Sequence, residues 1–282
     1  MIRNRKSTIT AHCLIRNEEK WIWYAIHSVI DFVDKILVFD TGSTDNTVRI
    51  IKSINSPKII FEEKGVVGKK GFVQLRQEML DRTDTDWFLV LDGDEVWPKE
   101  TISELKKAVG NAGREKEAVV AGQWICVGDV FHYSKEMEEF QHRQYSGIKG
   151  FRLTRAIKKT KGLHCTGLYG YESYADQDDI NISYWDKKRL VFITSKFFHM
   201  TFLPRSSTRE KDREVMMRGP KTRFYKGTPF PSRMQYPKVF YLERLEIVPP
   251  PWKQLTWVDQ VKGIYFRSQN FLDRIRNRDR MI

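Results

Sequence analysis

The chain has 282 residues, of which 40% are hydrophobic and 30% are charged, so it carries enough apolar side chains to fold around a core. This composition excludes an intrinsically disordered chain, and no apolar run approaches the ~18 residues of a transmembrane helix. The formal net charge of +13 favours polyanionic partners, which include nucleic acid, an anionic membrane face and phosphate-bearing substrates.

The first apolar stretch, residues 9–15, is interpreted as a strand rather than as part of a secretory signal. It follows Arg3, Arg5 and Lys6, but it contains His12 and ends at once in charged residues. The stretch is therefore too short and too polar for a signal peptide, and we expect a cytoplasmic protein.

Two further apolar runs, residues 36–39 and 87–91, have the length of strands and no polar alternation. Continuous apolarity is typical of strands that are covered on both faces in a parallel sheet. The segments between the runs carry apolar residues at helical spacing. Ser43-Thr44-Asp45, with Ser43 as the cap, and Pro98 favour helix starts. The order of elements predicts an α/β fold with a Rossmann-like, mostly parallel sheet flanked by helices.

From about residue 118 to residue 200 the pattern changes to strand-like runs that alternate with loops rich in Gly, Tyr and Asp. The runs are residues 118–127, 150–153 and 190–198. This alternation predicts a mixed second half laid against the parallel sheet.

The residues after Pro204 are basic and rich in Pro and aromatic side chains, and they include an arginine-rich stretch at 273–278. We therefore predict a main domain at 1–205 and a basic C-terminal extension at 206–282.

Polar residues follow each predicted strand, at the sheet edge where ligands bind outside the carboxyl ends of parallel strands. They are Arg16-Asn17-Glu18, Asp40-Thr41-Gly42-Ser43 and Asp92-Gly93-Asp94-Glu95. Asp92 and Asp94 flank one glycine in a strand-end turn, so both carboxylates can address a divalent cation while the backbone admits a ligand. Because such a cation completes its shell with water and substrate phosphates, this motif is the main functional candidate; the alternative is an acidic turn.

Three further residues have a functional and a structural interpretation. Asp40 ends the second strand, where its carboxylate can accept hydrogen bonds from a base or a ribose, although the turn after it is also an ordinary helix entry. Arg76 lies on a later helix and can reach a diphosphate, or it is a surface arginine. His199 ends an apolar strand as the carboxylates do, and a single strand-end histidine is more often structural than functional.

Three motifs together resemble the family 2 glycosyltransferases with a GT-A fold. They are, in chain order, Cys13-Leu14-Ile15-Arg16-Asn17-Glu18-Glu19, Val38-Phe39-Asp40-Thr41-Gly42-Ser43-Thr44-Asp45-Asn46-Thr47 and Leu91-Asp92-Gly93-Asp94-Glu95. The likeness is nearest to the branch that contains the lipopolysaccharide-core β-glucosyltransferases. It is strong over residues 7 to 110, weaker to about residue 210, and absent from the tail.

The resemblance implies a donor site and a metal site. The residues that would bind the donor nucleotide are Leu14, Arg16, Glu18, Asp40, Gly42, Arg76, Asp92 and Gly93. Among them Asp40 would bind the nucleobase, typically uracil, and the usual Arg-Asn pair is replaced by Arg76-Gln77. Asp92, Asp94 and His199 would hold Mn²⁺ or Mg²⁺, with Asp94 as the direct ligand.

Members of the family invert the anomeric centre, so the resemblance also implies a general base on the acceptor side. A His-Glu pair often follows an arginine-bearing strand in related sequences, and the corresponding stretch here is Gly170-Tyr171-Glu172-Ser173. Glu172 is therefore the candidate base, with Asp176, Asp178 and Asp179 as rivals.

The residues and the resemblance together lead us to expect an inverting, metal-dependent transferase that moves a hexose-like sugar from a nucleoside-diphosphate sugar to a hydroxyl of a glycan or lipid-linked acceptor; the resemblance implies inversion and a UDP-sugar as the donor. The enzymatic alternative is a sugar-phosphate nucleotidyltransferase, and the alternative without catalysis is a nucleic-acid-binding protein. No nucleic-acid partner is expected, because it would leave the strand-end carboxylates without a purpose. The basic C-terminal third, with Trp252 and Trp257, suits peripheral contact with an anionic membrane face, or it is a solvated surface without such a role.

Overall fold

The computed structural model describes residues 7–140, 148–218 and 221–261, and within these ranges its largest feature is a ten-stranded mixed β-sheet. The strands are β1 (Ile9–Ile15), β2 (Lys35–Asp40), β3 (Ile59–Glu63), β4 (Trp87–Val90), β5 (Glu95–Val96), β6 (Ala118–Val127), β7 (Asp129–Tyr133), β8 (Arg152–Lys158), β9 (His164–Thr166), β10 (Ser173–Ala175), β11 (Leu190–His199) and β12 (Thr228–Pro229). The α-helices are α1 (Ile22–Val29), α2 (Thr47–Ser53), α3 (Lys69–Asp81), α4 (Lys99–Gly110), α5 (Lys135–Glu139) and α6 (Arg209–Arg213). None of the helices in these ranges is long and apolar enough to cross a membrane.

The first half of the sheet is parallel and has the strand order β3-β2-β1-β4. Its faces are covered by different helices: Cys13 of β1 lies in the core cluster that contains residues of α1, α2 and α4, whereas Leu14 lies in a cluster with Met79 of α3. Burial on both faces explains why the β2 and β4 runs are continuously apolar. The predicted parallel α/β half is confirmed.

The second half of the sheet is mixed, as predicted. β8 pairs antiparallel with β4 and β6, and β11 pairs parallel with β6 and antiparallel with β5. The strand predicted at 150–153 is observed as β8, which begins at Arg152 and continues to Lys158. It is longer than predicted because it pairs with β4 on one edge and with β6 on the other. In the short β11–β5 ladder His199 stands opposite Glu95, and this pairing brings the end of β11 to the Asp92-Gly93-Asp94 turn.

The start signal predicted at Ser43-Thr44-Asp45 lies directly before α2, which begins at Thr47, but the prediction of Ser43 as its cap is wrong. The Ser43 hydroxyl accepts a hydrogen bond from Asn17 N at 2.8 Å and donates one to the Asp40 carboxylate, so it is not available to cap the helix. Asp45 Oδ1 instead accepts from Thr47 N at 2.9 Å. The start predicted after Pro98 is confirmed in α4.

Residues beyond 205 contribute to the same core as the sheet. Four of them belong to the cluster that covers one sheet face: Phe230, Val239, Phe240 and Val248. Trp252 packs against Phe131, with ring centroids 5.9 Å apart, whereas Trp257 is 76% exposed. The division of the chain at residue 205 stays a prediction, and the arginine-rich stretch 273–278 lies outside the described residues.

Candidate active site

A cavity of about 520 Å³ is lined by the polypeptide at the carboxyl ends of β1, β4 and β11. Nine of the sequence-predicted site residues are among its lining residues: Leu14, Arg16, Glu18, Arg76, Asp92, Gly93, Asp94, Glu172 and His199. Asp40 and Gly42 are not, although Thr41 between them is. Side chains far apart in the chain therefore meet at the sheet edge where ligands of parallel sheets bind.

Gly93 allows the ends of β1 and β4 to approach closely. A Cβ atom at this position would lie 2.7 Å from Glu18 Cγ and 3.1 Å from Ile15 Cγ2. The turn is closed by a hydrogen bond from Glu95 N to Asp92 O at 3.1 Å. The glycine of the motif thus sets the spacing between its two aspartates and the end of β1.

Asp92 is held by two arginines. Arg76 Nη2 lies 3.2 Å from Asp92 Oδ1, and Arg155 Nη2 lies 2.9 Å from Asp92 Oδ2. Burial opposes ionisation of this carboxyl, but Arg155 and Arg76 outweigh it and hold the pKa of Asp92 below its usual range. Arg76 is itself 4% exposed, and its Nη1 has no hydrogen-bond partner among the described residues, so one buried donor remains for a ligand.

Asp94 is completely buried between Arg205 and His199. Its Oδ2 lies 2.8 Å from Arg205 Nη2 and 3.3 Å from His199 Nε2. Burial opposes ionisation here too, but the charge of Arg205 and the contact with His199 outweigh it and hold the pKa of Asp94 well below its usual range. His199 Nδ1 lies 2.5 Å from Gln123 Oε1, an acceptor that keeps a proton on Nδ1 and orients the ring so that Nε2 faces the carboxylate.

Glu18 and Glu95 are two more buried carboxyl groups of the site. Glu95 accepts a hydrogen bond from Arg155, and Glu18 is contacted by Arg205 Nη1 at 3.0 Å and by Arg218. Burial raises the pKa of Glu95 well above its usual range in spite of Arg155, and burial raises the pKa of Glu18 to about 7 against the charges of Arg218 and Arg205. The strand ends therefore carry less negative charge than four ionised carboxylates would.

The donor atoms at the strand ends fit a hard divalent cation. Ligand atoms of Asp92, Glu95 and His199 lie within 4.8 Å of one another. Oδ1 of Asp94 and Oε2 of Glu95 are buried and have no hydrogen-bond partner in the described parts of the chain, whereas Oδ2 of Asp94 is paired with Arg205 and His199. Carboxylate oxygens with one imidazole nitrogen suit Mn²⁺ or Mg²⁺.

Glu95 is a candidate ligand that the sequence analysis missed. The sequence shows that Glu95 directly follows Asp94, but only the β5–β11 ladder shows that Glu95 lies opposite His199. The role of Asp94 as the direct ligand stays a prediction.

Both carboxylate oxygens of Asp40 accept hydrogen bonds within its own turn, so Asp40 has a structural role. Its Oδ2 accepts hydrogen bonds from Gly42 N at 3.0 Å and Ser43 N at 2.9 Å, and its Oδ1 accepts from the Ser43 hydroxyl. Gly42 has a φ of +84°, and a Cβ there would lie 2.6 Å from Val66 Cγ2. The part of these two residues in nucleotide binding stays a prediction.

The four candidate bases are distributed differently. Glu172 lines the cavity, and its Oε2 accepts a hydrogen bond from Gly170 N at 2.5 Å. Asp176 is paired with Arg189 at 2.7 Å and, like Asp178, lines a separate hollow. Asp179 is exposed and lies 3.1 Å from His164. Of these four described carboxylates, Glu172 alone lines the cavity that contains Asp92.

The sequence analysis also missed the arginines that neutralise the strand ends. Arg155 lies on β8, whereas Arg205 and Arg218 come from the segment 204–218 that follows β11. Arg218 donates to the carbonyl oxygens of Arg16, at 2.9 Å, and Asn17. Arg155 lies on a strand that precedes the Gly170-Tyr171-Glu172-Ser173 stretch, and nothing in the sequence distinguished Arg205 and Arg218 from the other basic residues of the C-terminal third.

A comparison of the sequence with known families identifies the family of this chain. The model of the family "Glycosyl transferase family 2" matches residues 14–178, which is more than half of the chain. This chain belongs to glycosyl transferase family 2. Its mixed α/β sheet with flanking helices is the GT-A fold of these enzymes.

Curated relatives share part of the sequence. An uncharacterized glycosyltransferase of Rickettsia felis is 35% identical over 98 residues, which are 35% of this chain and 32% of the relative. The SPbeta prophage-derived glycosyltransferase SunS of Bacillus subtilis is 33% identical over 158 residues, which are 56% of this chain and 34% of SunS. The chain thus spans about a third of the length of these relatives.

Solved glycosyltransferase structures are similar at lower identity. The structure of S. aureus TarS (residues 1–349) in complex with UDP-GlcNAc is 15% identical, has a TM-score of 0.49, and the match covers 73% of this chain and 65% of that one. Glucosyl-3-phosphoglycerate synthase from Mycobacterium tuberculosis, in complex with Mn²⁺, UDP and glucosyl-3-phosphoglycerate, is 20% identical, with a TM-score of 0.38 and coverage of 54% and 57%.

Proposed function

We propose that this protein is an inverting hexosyltransferase that moves a hexose-like sugar from a nucleoside-diphosphate sugar, with a UDP-sugar as the expected donor, to a hydroxyl of a glycan or lipid-linked acceptor. The observation that carries the proposal is the single cavity shared by the Asp92-Gly93-Asp94 turn, Arg76, His199 and Glu172. Membership in glycosyl transferase family 2 supports it. A place in the branch of the lipopolysaccharide-core β-glucosyltransferases, and hence in polysaccharide or lipopolysaccharide biosynthesis, is part of the proposal.

At the donor end, Mn²⁺ or Mg²⁺ would be held by residues among Asp92, Asp94, Glu95 and His199. When bound, the cation supplies Lewis-acid neutralisation of the departing diphosphate. The arginines of the site already compensate its carboxylates, so a bound cation adds positive charge for the diphosphate. Arg76 would donate a hydrogen bond from its unpaired Nη1 to the same diphosphate and stabilise the charge that develops there.

At the acceptor end, Glu172 would act as the general base. Its Oε2 is engaged by Gly170 N, which leaves Oε1 to take the proton of the acceptor hydroxyl. The hydroxyl oxygen then forms a bond to the anomeric carbon from the face opposite the diphosphate, as the bond to the diphosphate oxygen breaks. Attack from that face inverts the configuration of the sugar.

The same proposal includes peripheral contact of the basic C-terminal part with an anionic membrane face. The exposed indole of Trp257 supports it, because tryptophan favours the interface between water and lipid. This contact would bring a lipid-linked acceptor to the cavity.

A panel of nucleotide-sugars, assayed for hydrolysis with Mn²⁺, with Mg²⁺ and with EDTA, tests the proposal. We expect metal-dependent release of the nucleoside diphosphate from one donor class. Pyrophosphate release from a sugar phosphate and a nucleoside triphosphate would indicate a nucleotidyltransferase instead. Salt-sensitive retention on random DNA without nucleotide-sugar binding would indicate a nucleic-acid-binding protein.

A further inference from the structure

Tyr169 connects the loop that carries Glu172 to two other parts of the cavity wall. Its ring packs edge-on against Phe72 of α3, with centroids 4.6 Å apart, and the Arg76 guanidinium lies 5.6 Å from the Phe72 ring centroid. Its hydroxyl donates a hydrogen bond to Met216 O at 3.1 Å. One side chain therefore contacts both the helix of Arg76 and the segment 204–218.

The segment 204–218 is in turn tied to the end of β1. Arg218 donates to Arg16 O and Asn17 O, and the Ser206 hydroxyl donates to Asn17 O at 3.1 Å. A hydrogen bond from Arg218 N to Val215 O at 3.2 Å closes the turn that contains Met216. The carbonyl that Tyr169 contacts thus lies two residues from the arginine that holds the end of β1.

The loop 167–172 packs against the same turn through Gly170. This glycine has a φ of +87°, and a Cβ on it would lie 2.8 Å from Met217 Sδ. Its backbone N–H is the donor to Glu172 Oε2, and Tyr171 N donates to Leu168 O at 2.8 Å. The position of the Glu172 carboxylate therefore depends on a backbone that is fixed from outside the loop at Tyr169 and Gly170.

We propose that Tyr169 is a positioning residue, whose hydroxyl couples the placement of Glu172 to the donor-binding end of β1 through the turn 215–218. The inference rests on the proposed role of Glu172 as general base. A donor bound at the strand ends would restrain the segment that Arg218 and Ser206 hold at the end of β1, and the Tyr169 hydrogen bond to Met216 would transmit that restraint to the loop 167–172.

The variant Tyr169→Phe tests this coupling, because it keeps the ring on Phe72 and removes the hydroxyl alone. Tyr171→Phe is the matched control, since Tyr171 lies in the same loop and is 81% exposed. With UDP-glucose as the probe and water as the acceptor, we expect kcat for hydrolysis to fall about three- to tenfold in Tyr169→Phe, the loss typical of one hydrogen bond. KM and the affinity for UDP should be those of the wild type in both variants.

Hydrogen exchange of the amides of Gly170 and Tyr171 gives a readout that is independent of turnover. We expect UDP with Mn²⁺ to slow their exchange in the wild type and in Tyr171→Phe but not in Tyr169→Phe. Without nucleotide, Tyr169→Phe should already exchange faster there.

Wild-type kcat and wild-type exchange in Tyr169→Phe would overturn the proposal, and so would weakened UDP binding, which would make Tyr169 a donor-site residue. If Glu172→Gln retains full turnover, the assignment of the base fails, while the exchange data still decide the coupling.

Discussion

The strand ends at β1 and β4 and the loop 167–172 line one cavity but are fixed in different ways. At the strand ends, Asp94 and Glu95 are 0% exposed, and their charged partners Arg205 and Arg155 come from distant parts of the chain. In the loop, Glu172 is bonded by an amide two residues before it.

This difference predicts two classes of variant. A buried ion pair cannot lose one member without leaving a charge uncompensated, so changes at the strand ends should affect folding stability and ligand binding together. The Glu172 carboxylate is held by an amide of its own turn and contributes little to folding stability, so changes at Glu172 should affect turnover alone. The following four predictions test this division.

The largest effect is expected for Glu172→Gln. A base acts in the transition state, so kcat should fall by about 10²–10⁴-fold while the affinity for the nucleoside diphosphate and the melting temperature stay unchanged. Steady-state kinetics, calorimetry with UDP and thermal unfolding measure the three quantities. Asp178→Asn is the control, and if it abolishes turnover while Glu172→Gln does not, the base is a different carboxylate.

Asp94→Asn should reduce kcat by about 10²–10³-fold, the usual cost of removing one electrostatic stabiliser of the transition state. We also expect the variant to lose the enhancement of nucleotide binding by Mn²⁺, which titration of UDP with and without metal measures. Chelation of the wild type should abolish activity, and Mn²⁺ or Mg²⁺ should restore it. Full activity in EDTA would contradict the metal site.

Arg218→Leu should lower the free energy of unfolding by about 1.5–3 kcal/mol, because Glu18 and two backbone carbonyl groups lose a charged donor in a buried site. Arg205 still contacts Glu18, which keeps the loss below that of a completely unpaired charge. Urea unfolding measures the change, with the exposed Arg233→Leu as the control. Equal stability of both variants would mean that the contacts of Arg218 with the end of β1 do not stabilise the fold.

Asp40→Ala should weaken UDP binding by about 1–3 kcal/mol if Asp40 contacts the nucleobase. The hydrogen bonds of Asp40 to Gly42 and Ser43 give a different expectation, namely lower stability with unchanged affinity. Calorimetry and thermal unfolding on the same variant separate these outcomes. Unchanged affinity would mean that Asp40 only stabilises the turn before α2.

Local sequence patterns were sufficient to predict the parallel half of the sheet and to find the Asp92-Gly93-Asp94 motif. The continuously apolar runs at 36–39 and 87–91 are strands because both of their faces are covered, and burial on both faces is a property that a run of residues can show by itself. The Asp92-Gly93-Asp94 turn could be found in the same way, since its proposed function depends on spacing within three residues. The prediction of Ser43 as a helix cap was wrong because the Ser43 hydroxyl accepts a hydrogen bond from Asn17, a residue 26 positions away.

Tertiary structure alone decided which charges meet in the cavity. Arg205 and Arg218 were indistinguishable from the rest of a basic C-terminal third, and no pattern linked Glu95 to His199. These contacts arise when β11 pairs with β5 and when the segment 204–218 returns to the end of β1. A sequence specifies a strand or a turn through neighbours a few residues apart, whereas an ion pair between remote residues depends on the path of the whole chain.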